Sequence, residues 1–151
     1  MTEPIPVRPR ILFLGTGNAH RSQMAEAWLR HLTAGRLEVA SAGTDPSGVD
    51  ARATAVMGEV GIDLASHVAE PLEAHAGEPP SLVITVSSEA SRAARLPEGT
   101  AVLAWSFDDP AASSEASGES DDAELASFRR VRDGIRERIT DWLAEGLPAL
   151  G

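Results

Sequence analysis

A short apolar run that ends in a glycine-rich turn constrains the fold of this chain more than any other feature. Residues 10–14 (RILFL) contain four consecutive apolar side chains, and the turn GTG at 15–17 follows directly. An uninterrupted apolar run of this length is typical of a strand that is buried on both faces of a parallel sheet. From Ser22 onward, apolar residues recur at spacings of three and four, which predicts a helix that ends at Gly35. The segment therefore predicts a buried strand, a tight turn and a helix.

The same alternation of strands and helices continues along the chain. The run SLVITV at 81–86 is rich in β-branched residues, which favour strands. Alternating strands and helices are typical of an open parallel sheet with right-handed crossovers. We therefore expect a single α/β domain in which four parallel strands are flanked by helices. Further strands are predicted over 37–40, 81–86 and 101–105, and further helices over 51–60, 88–95 and 125–146.

Composition sets the expected limits of this domain. We expect residues 1–9 to form a Pro-rich leader, residues 10–147 to form the domain, and the acidic stretch 111–124 to be a flexible loop because it lacks apolar periodicity. The first ten residues contain no apolar segment of the kind that signal peptides need, which favours a cytoplasmic location. No run approaches the roughly 18 apolar residues of a membrane span, so no membrane association is expected.

Two further features of the composition exclude whole classes of function. Cysteine is absent from all 151 residues, which excludes disulfides, thiolate nucleophiles and cysteine zinc sites. The formal net charge is −10, whereas a protein that binds nucleic acid needs a basic face, so no nucleic-acid partner is expected. Any anion site must therefore be local, because the overall field repels anions.

Residues 15–22 (GTGNAHRS) are predicted to join the first strand to the first helix, where an anion site can form. The glycines permit backbone conformations in which successive N–H groups converge, and the positive end of the helix adds to them. Arg21 contributes a planar guanidinium that matches phosphate, sulfate or arsenate. The Rossmann pattern fails for want of a third glycine and the Walker loop for want of Lys, and on this motif alone a purely structural turn is an equal alternative. The predicted oxyanion-binding residues are Gly15, Thr16, Gly17, Asn18, Ala19, His20, Arg21 and Ser22.

This loop resembles that of the low-molecular-weight protein tyrosine phosphatase family and, within it, of the thioredoxin-coupled arsenate reductases. The family places a Cys, five residues, an Arg and a Ser after its first strand. Here Gly15 stands at the position of the Cys, and Arg21 and Ser22 keep theirs. The resemblance implies the open parallel α/β fold of that family. Further matching segments follow in order over nearly the whole chain, at 41–43 (SAG), 48–49 (GV), 82–86 (LVITV), 105–110 (WSFDDP), 128 (F) and 130–133 (RVRD).

The resemblance implies that the thiol chemistry of the family is lost. The nucleophilic Cys falls on Gly15, and the two redox cysteines fall near Ser87 and Ala94. A thiolate is needed at the first position because the reaction proceeds by covalent attack on phosphorus or arsenic. His20 is a candidate replacement nucleophile or acid, although a solvated loop histidine is the simpler interpretation. A serine at a strand end is likewise the simpler interpretation of Ser87.

The same resemblance implies that the binding residues are retained. Arg21 matches the arginine of the family, Asn18 and Ser22 match residues that hold the loop in shape, and Asp109 matches the general acid. No cofactor is required, but some reductases of this type bind a potassium ion beneath the loop, and oxygen ligands suit such a hard cation. The corresponding positions are Asn18, Glu26, Ser41 and, with Glu in place of Asp, Glu70.

We therefore expect an arsenate reductase-like pseudoenzyme that binds arsenate or phosphate through Gly15–Arg21, with cysteine-dependent reduction absent or residual. One alternative is a weak enzyme without cysteine, either a phosphatase with Asp109 as acid or an arsenate reductase that draws on an external thiol. Another is a binding protein that sequesters oxyanions or regulates a partner. The identity of a protein partner does not follow from the sequence.

Overall fold

The computed structural model describes residues 9–111 and 121–146, and it confirms the predicted α/β fold. Four strands form one parallel sheet in the order β2-β1-β3-β4. Leu12 in the middle of β1 lies opposite Ala40 of β2 and Val83 of β3. The strands are β1 (Arg10–Gly15), β2 (Glu38–Gly43), β3 (Leu82–Thr85) and β4 (Val102–Ala104).

Helices cover both faces of this sheet. The larger core packs α1, α2 and α4 against one face and includes Phe13, Met24 and Ile135, all fully buried. The smaller core on the opposite face includes Leu12 and Val83. In the described part of the chain, no helix is long and apolar enough to cross a membrane. The helices are α1 (Arg21–Thr33), α2 (Ala51–Glu59), α3 (Ser88–Ala93) and α4 (Asp121–Ala144), and a 3₁₀ turn covers Leu72–His75.

The strand order places the loop after β1 at the point where ligands bind in open α/β sheets. The chain leaves β1 toward β2 on one side, whereas it leaves the adjacent strand β3 toward β4 on the other side. The connections therefore diverge between the carboxyl ends of β1 and β3, and a crevice opens there. The loop 15–20 and the start of α3 flank this crevice.

Two predicted boundaries are wrong, and each has a physical reason. The second strand was expected over 37–40, but β2 continues to Gly43 because Ser41 to Gly43 pair with Phe13 to Gly15 of β1. This ladder overrides the weak strand preference of small residues. The acidic loop was expected over 111–124, but α4 already begins at Asp121. Apolar periodicity detects only the part of a helix that packs on a core. The other boundaries differ by at most two residues, as for α3, which ends at Ala93 and not at 95.

Some predicted segments lie outside the described residues. These are 1–8 of the leader, 112–120 of the acidic loop and the last residue, 147, of the domain.

An ion-pair cluster joins α2 to α4 on the larger core's side. Glu59, the last residue of α2, accepts hydrogen bonds from Arg129 Nη2 at 2.7 Å and from Arg132 Nη1 at 2.8 Å. Arg132 Nη1 also donates to the carbonyl of Val56 at 2.9 Å. Hydrogen bonding to Arg129 first, and then to Arg132, lowers the pKa of the Glu59 carboxyl to about 2. The cluster therefore stabilises the folded chain only while Glu59 is ionised.

The free energy of unfolding should depend on this carboxyl in acid. Its pKa falls from an ordinary value of 4.5 to about 2 on folding, so the stabilisation is complete above about pH 4.5 and is lost as the pH falls toward 2. Glu59→Gln should flatten the pH dependence of stability in this range, as measured by urea unfolding at a series of pH values. Glu98→Gln, at an exposed position before β4, is the matched control and should keep the wild-type slope. An unchanged slope in Glu59→Gln would mean that the cluster does not form in solution.

Candidate oxyanion site

The loop 15–20 is held by its carbonyl groups. The carbonyls of Gly15, Thr16, Gly17 and Ala19 accept hydrogen bonds of 2.8–3.0 Å from backbone N–H groups of the segment 44–50, which follows β2. In a trans peptide the C=O and the next N–H point in opposite directions. The N–H groups of residues 16, 17, 18 and 20 therefore point away from that segment.

These N–H groups are available to a ligand. Within the residues that the structure describes, no backbone N–H of residues 16–20 has a hydrogen-bond partner. Unpaired backbone donors are rare in folded proteins, and successive donors in a turn before a helix form a site that attracts anions. The predicted convergence of N–H groups at this loop thus has a structural basis in the paired carbonyls.

The buried side chain of Asn18 fixes the shape of the loop through hydrogen bonds. Its φ is 51°, in the left-handed region that non-glycine residues seldom occupy, and its side chain is almost fully buried. The amide Nδ2 donates to Ser22 Oγ at 2.9 Å, whereas Oδ1 accepts from Gln23 Nε2 at 3.0 Å and from the Glu70 N–H at 2.9 Å. These bonds hold the strained residue in place and explain why Asn and Ser occupy these two positions.

Gly43 gives the loop room at the end of β2. A Cβ on this residue would lie 2.5 Å from the carbonyl oxygen of Thr16 and 2.9 Å from the backbone nitrogen of Asn18. Both atoms are main chain and cannot rotate away, so only glycine permits this approach. The segment SAG at 41–43, part of the family resemblance, therefore has a steric role in placing the loop.

Arg21 begins α1 and is the one arginine of the cleft formed by the described residues. Its Nη1 donates to the carbonyl of Phe107 at 3.0 Å, which fixes the guanidinium between the loop and the segment after β4. The cleft has a volume of about 290 Å³, and its lining also includes the carboxylates of Asp45, Glu89 and Asp109. Bound anions would therefore depend on Arg21 and on the backbone donors to offset the negative charge around them.

His20 lies in this cleft, but its geometry does not suit a nucleophile. Its Nδ1 accepts the Arg21 backbone N–H at 2.9 Å, so in the neutral ring the proton is on Nε2. That nitrogen lies 3.6 Å from Asp109 Oδ1. Burial, together with the charge of Arg21, lowers the pKa of His20 below its ordinary value and favours this neutral ring. The cap interaction with Arg21 thus occupies the only lone pair that could attack a substrate.

Asp109, the candidate general acid, lies at the rim of the same cleft. Its Oδ1 accepts the Ala111 N–H at 2.9 Å, so the carboxylate also caps the turn that follows. The side chain is partly exposed, which leaves it accessible to a substrate above the loop. The structure therefore brings Asp109 to the predicted oxyanion-binding residues.

The positions that correspond to the redox cysteines lie at the two ends of α3. Ser87 caps the helix, since its Oγ accepts the Ala90 N–H at 3.1 Å, and Ala94 follows the last helical residue. Ser87 is buried and acts as a helix cap, as the simpler interpretation of this strand-end serine expects.

The four residues assigned to potassium come together beneath the loop. Ser41 Oγ donates to Glu26 Oε1 at 2.6 Å, and the Glu70 N–H donates to the side chain of Asn18. Glu26, Ser41 and Glu70 line a second cleft on this side of the loop.

Several residues of the site were not predicted from the sequence. Gln23 and His67 support Asn18 through a hydrogen-bonded chain, in which His67 Nδ1 lies 2.8 Å from Gln23 Oε1. Gln23 directly follows the matching motif, but its partner His67 is 44 residues away, and no local pattern signals such a contact. Asp45 and Ser47 reach the cleft from the segment after β2, and Glu89 reaches it from the first turn of α3.

The chain belongs to the low molecular weight phosphotyrosine protein phosphatase family, which it matches over residues 10–148. Within that class it is similar to arsenate reductases. It is 36% identical to the arsenate reductase of Halalkalibacterium halodurans over 137 residues, which cover 90% of this chain and 96% of the relative. It is 38% identical to the arsenate reductase of Bacillus cereus over 130 residues, which cover 85% of this chain and 90% of the relative. A solved structure described as an arsenate reductase in the phosphate binding state superposes with a TM-score of 0.71 at 30% identity, and the match covers 91% of this chain and 98% of that one.

Proposed function

We propose that this protein binds arsenate or phosphate at the loop Gly15–Arg21 and that it has lost the thiol chemistry of its relatives. The observation that carries the proposal is the backbone of the loop. The carbonyls are bound to the segment 44–50, and the N–H groups of residues 16–20 are left without partners among the described residues. An oxyanion would supply the missing acceptors.

Two further observations support an oxyanion as the ligand. Arg21 stands beside the unpaired N–H groups, and apart from the bond to Phe107, its guanidinium nitrogens have no partner among the described residues. A structural relative is described as an arsenate reductase in a phosphate binding state. Arsenate and phosphate have the same shape and charge, so the site as built here does not favour one over the other.

The proposed loss of reduction follows from electron counting. Conversion of arsenate to arsenite consumes two electrons, which a pair of thiols can supply by forming a disulfide. This chain has no Cys, and the three positions concerned carry Gly15, Ser87 and Ala94. A cytoplasmic location and a regulatory partner stay predictions.

A second candidate function is slow hydrolysis of phosphate monoesters without a covalent intermediate. It is favoured by one observation, that Asp109 lines the same cleft as the loop. Because the Nδ1 of His20 is occupied, water would be the nucleophile and Asp109 the proton donor to the leaving group.

Calorimetric titration with arsenate and with phosphate tests the first proposal. Arg21→Ala removes a charge-assisted contact of about 1.5 to 3 kcal/mol, so the affinity should fall by at least about tenfold. Arg92→Ala is the matched control, because it removes an exposed arginine of α3 that does not line the cleft, and it should bind as the wild type does. Equal affinity in Arg21→Ala and the wild type would place the anion elsewhere.

The same samples decide between binding and turnover. Saturable binding without arsenite release, in the presence or absence of an external thiol, supports a binding protein. Arsenite release that depends on the external thiol would overturn the proposed loss of reduction. Release of phenol from phenyl phosphate that Asp109→Asn abolishes would instead support the second candidate.

A further inference from the structure

A second cleft lies beneath the oxyanion loop, between α1 and β2, with a volume of about 320 Å³. Its lining includes Glu26, Arg30, Ser41, His67 and Glu70. The side chain of Glu26 is largely buried there, and a buried carboxylate needs a positive charge or hydrogen-bond donors to offset its lost hydration.

The oxygen atoms of Glu26 and Asn18 do not fit a potassium ion, because their lone pairs face donors of the chain itself. Glu26 Oε1 accepts from Ser41 Oγ at 2.6 Å, and Oε2 lies 2.8 Å from Arg30 Nη2. Asn18 Oδ1 already accepts two hydrogen bonds, which occupy both of its lone pairs. Glu70 Oε2 lies 3.1 Å from His75 Nε2, which is an ion-pair distance without hydrogen-bond geometry. A cation site needs oxygen atoms that converge on one empty point, without a competing cationic group among them.

The guanidinium of Arg30 is the permanent positive charge beside Glu26. Besides its pair with Glu26, the same Nη2 donates to the carbonyl of Val39 at 2.7 Å. The guanidinium therefore connects a carboxylate of α1 to a carbonyl of β2, and it engages the two kinds of oxygen that a hard cation would bind. His67 also lies near Glu26. Its Nδ1 is 3.8 Å from Glu26 Oε2, but it contacts Gln23 Oε1 at 2.8 Å instead.

The geometry points to a role for the Arg30 guanidinium as a covalently attached substitute for the potassium ion that the family resemblance implies, so that the loop above is stabilised without a metal. The effect reaches the loop through side chains on one turn of α1 and on β2. Glu26 holds Ser41, two residues before Gly43, and Gln23 holds Asn18. The inference goes beyond oxyanion binding and does not depend on it.

Thermal unfolding of the full chain in potassium chloride and in choline chloride at equal ionic strength tests this role. The wild type should unfold at the same temperature in both salts. Arg30→Met leaves Glu26 without its cation and should lower the midpoint in choline by at least about 2 °C. Added potassium should then raise the midpoint of this variant in a saturable way. Arg36→Met, an exposed arginine after α1, is the matched control and should not respond to potassium.

A second variant separates the cation site from a general salt effect. In Arg30→Met combined with Glu26→Gln, the carboxylate is gone and the potassium response should disappear. Stabilisation of the wild type by potassium over choline would overturn the inference, since a metal would then bind despite Arg30. An Arg30→Met variant that potassium does not stabilise would also overturn it, because the guanidinium would not be standing in for a cation.

Discussion

Gly15→Cys should convert this protein into a phosphatase that releases 4-nitrophenol from 4-nitrophenyl phosphate at least about a hundredfold faster than the wild type. The expected gain rests on the parts that remain in place. The thiol would stand at the end of β1, next to the unpaired N–H groups of residues 16–20 and to Arg21. Nearby positive charge and a helix N-terminus lower the pKa of a thiol and favour the thiolate.

The position accepts a side chain with a small adjustment. The φ of Gly15 is not in the left-handed region, so a residue with a Cβ adopts it without strain. The added Cβ would lie 3.1 Å from Ser22 Oγ and 3.4 Å from Val86 Cγ2, so the hydroxyl of Ser22 must move by a few tenths of an ångström. A serine side chain can do so by a small rotation.

The reaction would use this chain's residues in order. The thiolate sulfur bonds to phosphorus, the bond from phosphorus to the phenolic oxygen breaks, and Asp109 gives that oxygen its proton. Water then hydrolyses the S–P bond and releases inorganic phosphate. Because a general acid contributes about 10² to 10⁴ in rate, Asp109→Asn in the Gly15→Cys background should remove most of the activity on a substrate with a poor leaving group, such as phenyl phosphate.

Gly15→Ser is the matched control for this gain of function. It adds nearly the same bulk but no low-pKa nucleophile, and it should stay inactive. A folded Gly15→Cys variant whose thiol is unreactive toward iodoacetamide at neutral pH would contradict the view that the loop still lowers the pKa of a thiol. Arsenate reduction needs a second thiol as well, so Gly15→Cys alone should release arsenite only with an external thiol present.

Gly43→Ala should lower both the unfolding free energy and the affinity for phosphate, because it disturbs the loop without changing any residue in it. The added methyl group would lie 2.5 Å from Thr16 O and 2.9 Å from Asn18 N, so the loop must shift and the bond from the Asp45 N–H to Thr16 O must lengthen. Forcing extra volume into a packed site costs about 1 to 3 kcal/mol of unfolding free energy. Because the N–H groups lose their common direction, the affinity for phosphate should fall by at least about tenfold.

Gly58→Ala is the control, and its expected effect on the unfolding free energy has the opposite sign. Gly58 lies in α2 with no atom within 4 Å of an added Cβ, so alanine there should raise the unfolding free energy by about 0.5 to 1 kcal/mol. Urea unfolding gives the two stabilities and calorimetry the two affinities. Wild-type stability and affinity in Gly43→Ala would mean that the close approach of β2 does not position the loop.

The local parts of the fold and site could be predicted from the sequence. The strand at 10–15 and the helix that follows are coded by residues within a few positions of one another, as an apolar run and then a 3.6-residue period. The motif with Arg21 predicted a loop between the first strand and the first helix, at the carboxyl edge of the sheet, and the structure has the loop there. Glycine at position 43 was part of the resemblance, although its reason, the close approach to Thr16, needed the structure.

The remaining parts depend on contacts between distant segments. The bond from Arg21 to the Phe107 carbonyl joins residues 86 positions apart, and no periodicity encodes it. The hydrogen bond from the Arg21 N–H to His20 Nδ1 depends on a backbone angle that no sequence pattern specifies. From the sequence, His20 was therefore still a candidate nucleophile. Likewise, Arg30 has the helical spacing of a surface ion pair with Glu26, and only the position of β2 shows its second bond.

The paired carbonyls of the loop set the direction of its N–H groups independently of the side chain at position 15. Peptide orientation is set by hydrogen bonds to the segment 44–50, so the N–H donors of the loop belong to no side chain. The thiol that the family carries at the position of Gly15 is, by contrast, a single side chain that contributes nothing to that orientation. Under the proposed function, one substitution removes the catalytic group and leaves the oxyanion site intact, and the Gly15→Cys experiment tests whether the reverse substitution restores the reaction.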